Sequence, residues 1–164
     1  HGLDVIAVGK VGEIFSFRGI TESIHTDSNR DGMDAILNIV KQRRGQILFA
    51  NLVDFDMKFG HRNDPQGFAR ALMEFDSFLD ELLPALASTD LLILTADHGN
   101  DPITPSTDHS REYVPLLVYH PHESPGAPLG VRRTFADVAA TIAEAFALQM
   151  PSTGTSFLKE VMNL

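Results

Sequence analysis

Four short apolar runs divide the chain, and each predicts a β-strand. Each run is rich in β-branched residues or leucine and is flanked by Gly, Pro, Asn or Asp. Their hydrophobicity is nearly continuous, which indicates strands covered on both faces, as in a parallel sheet. The predicted strands are Asp4–Val8, Gln46–Val53, Leu91–Ala96 and Val114–Tyr119.

Between these runs, apolar positions recur at helical spacing. The longest predicted helix begins at Asp64-Pro65, because aspartate caps a helix and proline fits its first position. It runs to about Leu86, and the other predicted helices are Asp31–Arg43, Phe135–Ala147 and a short one over Ser156–Met162. Strands that alternate with helices predict an α/β fold with a largely parallel sheet covered by helices on both faces.

Composition narrows the class of protein. The 164 residues predict a single domain, 1–164, with a hydrophobic core. The net charge of −9 argues against nucleic acid as a partner, because phosphate backbones attract basic surfaces. No apolar run approaches the roughly 20 residues of a membrane-spanning helix. With no cysteine in the chain, we expect a cytoplasmic protein without a membrane partner.

Aspartate and histidine side chains follow two of the predicted strands. Asp56 and His61 come after the second strand, Asp97 and His98 after the third, and a polar loop then delivers His109. Ligands of open α/β sheets bind beyond the carboxyl ends of the strands, so we expect these side chains to cluster.

The donor atoms of this set predict a metal site. With Asp54 there are three aspartates and three histidines, which suits Mn²⁺, Zn²⁺ or Fe²⁺. That number of ligands exceeds the needs of one catalytic ion and favours two ions. The alternative is that Asp97-His98 forms only a cap and turn, and that Asp54 serves the 54–61 turn. His25, His120 and His122 have the sequence context of loop or surface histidines.

The same segments resemble the phosphopentomutases of the alkaline phosphatase superfamily. Asn51–Asp56 with Gly60-His61-Arg62 is similar to their metal-binding strand. Two later segments are similar to two later motifs of the same family. Ala7–Lys10 and Gly154–Leu158 extend the similarity over essentially the whole chain. Ser106, Ser110 and Phe59 stand where the family commonly has Gly, Thr and Tyr. The two later segments are Thr95–Pro102 and Thr107–Val118.

The resemblance implies an activity and a ligand set. The family interconverts (deoxy)ribose 1-phosphate and (deoxy)ribose 5-phosphate through an enzyme phosphothreonine beside two Mn²⁺ ions. It implies that Asp56, His61 and His109 hold one ion. Asp97 and His98 would hold the other, with an aspartate and the nucleophilic threonine from the family's amino-terminal part. Lys10, after a strand end and a glycine, is a candidate contact for the substrate phosphate, or else a solvated loop lysine.

The chain begins at His1 and almost at once enters an apolar run. We therefore expect that sequence is missing upstream, with a tag remnant before a native start as the alternative. The resemblance implies that the missing sequence comprises an amino-terminal core segment and a cap domain. The missing part is then expected to be a partner of this chain. Alone, the 164-residue chain is expected to lack a catalytic nucleophile and mutase activity, and to bind one ion well and the second poorly.

Three other functions remain open from the sequence. One is a cofactor-independent phosphoglycerate mutase or another metal-dependent phosphatase of the superfamily. Another is a non-catalytic metal-binding domain. The third is catalysis by a local nucleophile, Ser106 or Thr107, which lie close to His109 in the sequence.

Overall fold

The computed structural model describes residues 2–121 and 126–162, and it divides into two compact units. We call residues 2–86 with 98–112 the larger unit, and residues 87–97 with 113–164 the smaller unit. His122 lies outside the described residues. Within the part described, no helix has both the length and the apolar character needed to cross a bilayer.

A parallel three-stranded sheet forms the centre of the larger unit. Its strands are β1 (Val5–Val8), β2 (Glu22–Ile24) and β3 (Ile47–Ala50), in the order β2-β1-β3. Ile6 and Val8 of β1 are buried with Ile39 at the centre of the core. The helices of this unit are α1 (Val11–Ile14), α2 (Asn29–Lys41) and α3 (Pro65–Ala85), and a π-helix spans Phe55–Gly60.

The smaller unit contains an antiparallel strand pair and two helices. The strands are β4 (Leu92–Thr95) and β5 (Leu116–Tyr119). The helices are α4 (Ala136–Ala145) and α5 (Leu158–Met162). The predicted α/β class with a parallel sheet is confirmed, and all four predicted strands and helices are present with shorter bounds at most ends.

The helix starts follow the chemistry of their caps. Asp64 accepts a hydrogen bond from Gly67 N–H at 2.8 Å and caps α3, as the sequence predicts. The predicted start of α2 at Asp31 is two residues late, because Ser28 is the cap and its hydroxyl accepts from Asp31 N–H at 3.2 Å.

The predicted coverage on both faces applies to β1, whereas the other strands have exposed residues. Phe49 of β3 is 49% exposed and Leu117 of β5 is 61% exposed. Successive residues of a strand point to opposite faces, so these side chains mark the more open face of each strand. Phe49 meets the ring of Phe15 edge-on, with centroids 6.0 Å apart.

A buried aspartate fastens the carboxyl-terminal segment to α4. Asp137 accepts from Thr155 N–H and from Arg132 Nε, both at 2.8 Å. The Thr155 N–H holds the pKa of Asp137 below its ordinary value, and Arg132 adds to this while burial opposes it. Thr141 then accepts from the N–H of Phe157, whose side chain is fully buried.

Asp137→Asn should therefore remove a pH-dependent part of the stability. A carboxylate whose pKa is lowered by folding stabilises the fold above its unfolded value, and this contribution is lost as the pH falls through the folded pKa. We expect the variant to be less stable than wild type at pH 7, with a difference that shrinks below about pH 4. Urea unfolding at a series of pH values measures this.

The exposed Asp76 of α3 provides the matched control. Asp76→Asn should change stability little at any pH. An equal destabilisation of Asp137→Asn at pH 3 and at pH 7 would contradict the role assigned to its charge.

Candidate metal centre

Asp54 fixes the path of the chain after β3. It is 8% exposed, and its Oδ2 accepts from Asn29 N–H at 2.9 Å while Asn29 Oδ1 accepts from Asp54 N–H at 2.9 Å. Lys58 Nζ lies 3.0 Å from the other oxygen. These bonds satisfy a donor in the first turn of α2 and hold the start of the π-helix. Asp54 therefore has the structural role that the sequence left open.

Asp56, His61 and His109 form the candidate metal group. One ligand atom from each lies within 4.8 Å of the other two. His61 Nε2 is 3.2 Å from Asp56 Oδ2, and His109 Nε2 is 3.4 Å from Asp56 Oδ1. All three residues retain some solvent access. The structure thus gathers the three residues that the resemblance assigns to one ion.

The hydrogen bond of His61 sets which nitrogen faces the group. Its Nδ1 contacts the carbonyl oxygen of Thr107, and a carbonyl can only accept, so Nδ1–H is the donor. In the neutral tautomer, Nε2 then presents a lone pair toward the Asp56 carboxylate. Two acceptors at this distance repel unless a proton or a cation lies between them. A hydrogen bond from the other ring nitrogen to a backbone carbonyl commonly orients a histidine that binds a metal. The donor set therefore fits a divalent metal ion.

His98 stacks on His109. Their ring centroids are 3.6 Å apart with an interplanar angle of 20°, and His98 Nδ1 lies 3.3 Å from Gly99 O. Asp97 is exposed and belongs to the smaller unit, two residues after the end of β4. Neither residue is in the group of three. The assignment of Asp97 and His98 to a second ion stays a prediction.

Lys10 follows β1 and reaches the π-helix that carries Asp56. Gly9 has φ +82° and leaves room for Asn51, whose Oδ1 accepts from Lys10 N–H at 2.8 Å. Lys10 Nζ lies 3.0 Å from Met57 Sδ. This arrangement is compatible with the predicted contact between Lys10 and a substrate phosphate, which stays a prediction.

Two asparagines near the group were not singled out by sequence reasoning. Asn63 has a left-handed backbone, φ 49°, and its Nδ2 donates to Thr104 O at 2.8 Å and Ser106 O at 3.0 Å, bracing the loop before His109. Asn100 Nδ2 donates to Asp56 Oδ1. Asn100 lies in the Asp-His-Gly-Asn segment, so its position beside two candidate ligands was an available signal.

The other two described histidines lie in loops or at the surface, as expected, but His120 is more buried than its sequence context indicates. His25 is exposed, with its Nε2 3.4 Å from Asp27 Oδ1. His120, however, is only 8% exposed. It directly follows β5, where the chain is still packed within the smaller unit, so its loop-like sequence context did not indicate its burial.

Residues 5–150 match a family model described as the metalloenzyme superfamily. The chain belongs to the metalloenzyme superfamily. This membership is consistent with the alkaline-phosphatase-like core that the resemblance implied, and with a divalent metal at the group of three.

Two relatives of this chain are each named phosphopentomutase. The protein from Caldanaerobacter subterraneus subsp. tengcongensis is 55% identical over 160 residues, covering 98% of this chain and 41% of the relative. The protein from Dictyoglomus turgidum is 52% identical over 158 residues, covering 96% of this chain and 40% of the relative. The chain therefore spans about 40% of the length of the curated relatives it matches.

A solved structure supports the fold alone. The PH0037 protein from Pyrococcus horikoshii matches with a TM-score of 0.59 at 16% identity, over 72% of this chain and 32% of that one. At this identity the match supports the architecture alone and carries no information about activity.

Asp54→Ala and Asp56→Ala should affect different properties, although the two residues are only two positions apart. The first should lower the stability of the fold and the second should weaken metal binding. Asp54→Ala removes a buried acceptor and should destabilise the fold by about 1–3 kcal/mol. Asp56→Ala removes a candidate ligand and should weaken divalent metal binding more than about 100-fold, because loss of an outer-shell partner alone costs about 10–100-fold. Thermal unfolding and Mn²⁺ titration measure the two effects.

Each variant serves as the control for the other. Metal binding by Asp56→Ala at wild-type affinity would remove Asp56 from the ligand set. An unchanged unfolding temperature for Asp54→Ala would remove the structural role of the Asp54–Asn29 pair.

Proposed function

We propose that the protein to which this chain belongs is a phosphopentomutase, which interconverts (deoxy)ribose 1-phosphate and (deoxy)ribose 5-phosphate. The observation that carries the proposal is 55% identity to a protein of that name over 98% of this chain. Because the chain spans 41% of that relative, the activity is proposed for the whole protein. The substrate is a small pentose phosphate, and the proposed location is the cytoplasm.

We propose two ions, both Mn²⁺. Asp56, His61 and His109 hold one, which is supported by the distances between their ligand atoms. Asp97 and His98 contribute to the other, a proposal that rests on their motif. When bound, paired divalent ions stabilise the entering and leaving oxygens of a phosphoryl transfer.

The residues of this chain then have distinct tasks. Asp56 supplies a carboxylate, and the bond from His61 to Thr107 O orients its Nε2 toward the same point. The phosphoryl group passes through a threonine outside these 164 residues. Lys10 offers its ammonium to the substrate phosphate, since the Met57 thioether that lies 3.0 Å from its Nζ does not neutralise its charge.

A substrate panel on the full-length protein tests the proposal. With Mn²⁺ present, we expect turnover of ribose 5-phosphate and 2-deoxyribose 5-phosphate and none of 3-phosphoglycerate. A chelator should abolish turnover and added Mn²⁺ should restore it, because the charge stabilisation depends on the ions.

Turnover of 3-phosphoglycerate would favour a phosphoglycerate mutase instead. Metal binding without turnover of any phosphosugar would favour a non-catalytic domain. The isolated 164-residue chain is expected to be inactive, and its turnover of ribose 1-phosphate would contradict a nucleophile outside it.

Lys10→Met should weaken substrate binding in the full-length protein. Loss of one charged contact to phosphate is expected to raise KM for ribose 5-phosphate about tenfold, which corresponds to about 1.4 kcal/mol. Steady-state kinetics measure this. Lys41→Met, at the exposed end of α2, is the matched control and should leave KM unchanged. Equal KM values for Lys10→Met and wild type would make Lys10 a solvated loop lysine.

A further inference from the structure

We propose that Asn100 is a positioning residue that fixes the orientation of the Asp56 carboxylate for metal binding, an inference that rests on the proposed metal centre. Asn100 Nδ2 donates to Asp56 Oδ1 at 2.5 Å. The residue is partly buried, so this bond competes less with water than an exposed one.

The bond divides the two oxygens of Asp56 between different neighbours. Oδ1 receives the Asn100 amide and lies 3.4 Å from His109 Nε2, whereas Oδ2 lies 3.2 Å from His61 Nε2. A carboxylate oxygen has two lone pairs, so one amide N–H leaves the other available. The amide is neutral, so it restrains rotation of the carboxylate without compensating the negative charge that attracts a cation.

Gly60 provides the space for this contact. A Cβ built on Gly60 would lie 2.4 Å from Asn100 Nδ2 and 2.5 Å from Asn100 Cγ, which no real Cβ tolerates. The φ of Gly60 is outside the left-handed region, so the backbone does not itself require glycine there. The close approach of Asn100 is therefore the physical reason for glycine at the end of the π-helix.

The backbone on both sides of Asn100 is held in place. Ser110 N–H donates to Gly99 O at 3.0 Å, and Asp101 N–H donates to Ser110 Oγ at 2.8 Å. Ser110 directly follows the candidate ligand His109. The same short bridge thus positions both Asn100 and His109 relative to Asp56, and this makes the orientation of the carboxylate depend on a pre-formed loop.

Asn100→Leu tests the donor while keeping most of the side-chain bulk, with Asn100→Ala measured beside it. In the full-length protein, calorimetric titration with Mn²⁺ should show the affinity of one ion falling about 10–100-fold, the range for loss of an outer-shell partner. The melting temperature of the metal-free protein should stay close to wild type. Asn38→Leu, the same change on the exposed face of α2, is the control and should leave Mn²⁺ affinity unchanged.

Gly60→Ala gives an independent test through the same contact. Its new methyl group should displace the Asn100 amide and weaken Mn²⁺ binding by a similar factor. If Gly60→Ala acts through Asn100, the two losses of affinity are coupled. The Gly60→Ala/Asn100→Ala double variant should then bind Mn²⁺ no more weakly than whichever single variant has the lower Mn²⁺ affinity.

The outcomes separate this inference from the proposed function. Wild-type Mn²⁺ affinity in both Asn100 variants would overturn the positioning role and leave the metal centre standing. Additive losses in the double variant, or a parallel loss of metal-free stability, would also overturn it in favour of a packing role. A wild-type protein that binds no Mn²⁺ would refute the metal centre itself.

Discussion

The paired hydrogen bonds between Asp54 and Asn29 decide where the chain goes after β3. They join the start of the π-helix to the first turn of α2, and α2 packs Ile39 against β1 in the core. Because that anchor is buried, the next six residues turn from a fixed point. Asp56 and His61 come to face each other as a consequence, with His61 locked by the carbonyl of Thr107.

The π-helix matters because it changes which side chains share a face. An α-helix brings residues three or four apart together, whereas Asp56 and His61 are five apart. His61 N–H bonds to Asp56 O at 2.9 Å, the five-residue spacing of a π-turn. The wider turn places both side chains on one side, and such turns occur frequently at functional sites.

Sequence patterns predicted the helices and strands that depend on local features of the chain. Continuous apolar runs indicated the strands, and the cap chemistry of Asp64 located the start of α3. They did not predict β2, because Glu22-Ser23-Ile24 is short and two of its three residues are polar, and its strand conformation comes from pairing with β1. The antiparallel pairing of β4 with β5 also depends on partners distant in sequence. The group of Asp56, His61 and His109 was predictable from strand ends together with the family resemblance.

Asp54 and Asp56 show where such prediction stops. Both are aspartates of one motif, and hydropathy treats them alike. Asp54 meets a backbone N–H and the Lys58 ammonium, which satisfy its charge from within the fold. Asp56 meets one neutral amide and two imidazole nitrogens, which leave its charge largely uncompensated unless a cation or proton joins them. A structural carboxylate and a ligand carboxylate therefore differ in the groups that surround them. Some of these groups are local, but others come from segments 25 to 53 residues away in the chain (Asn29 for Asp54, Asn100 and His109 for Asp56).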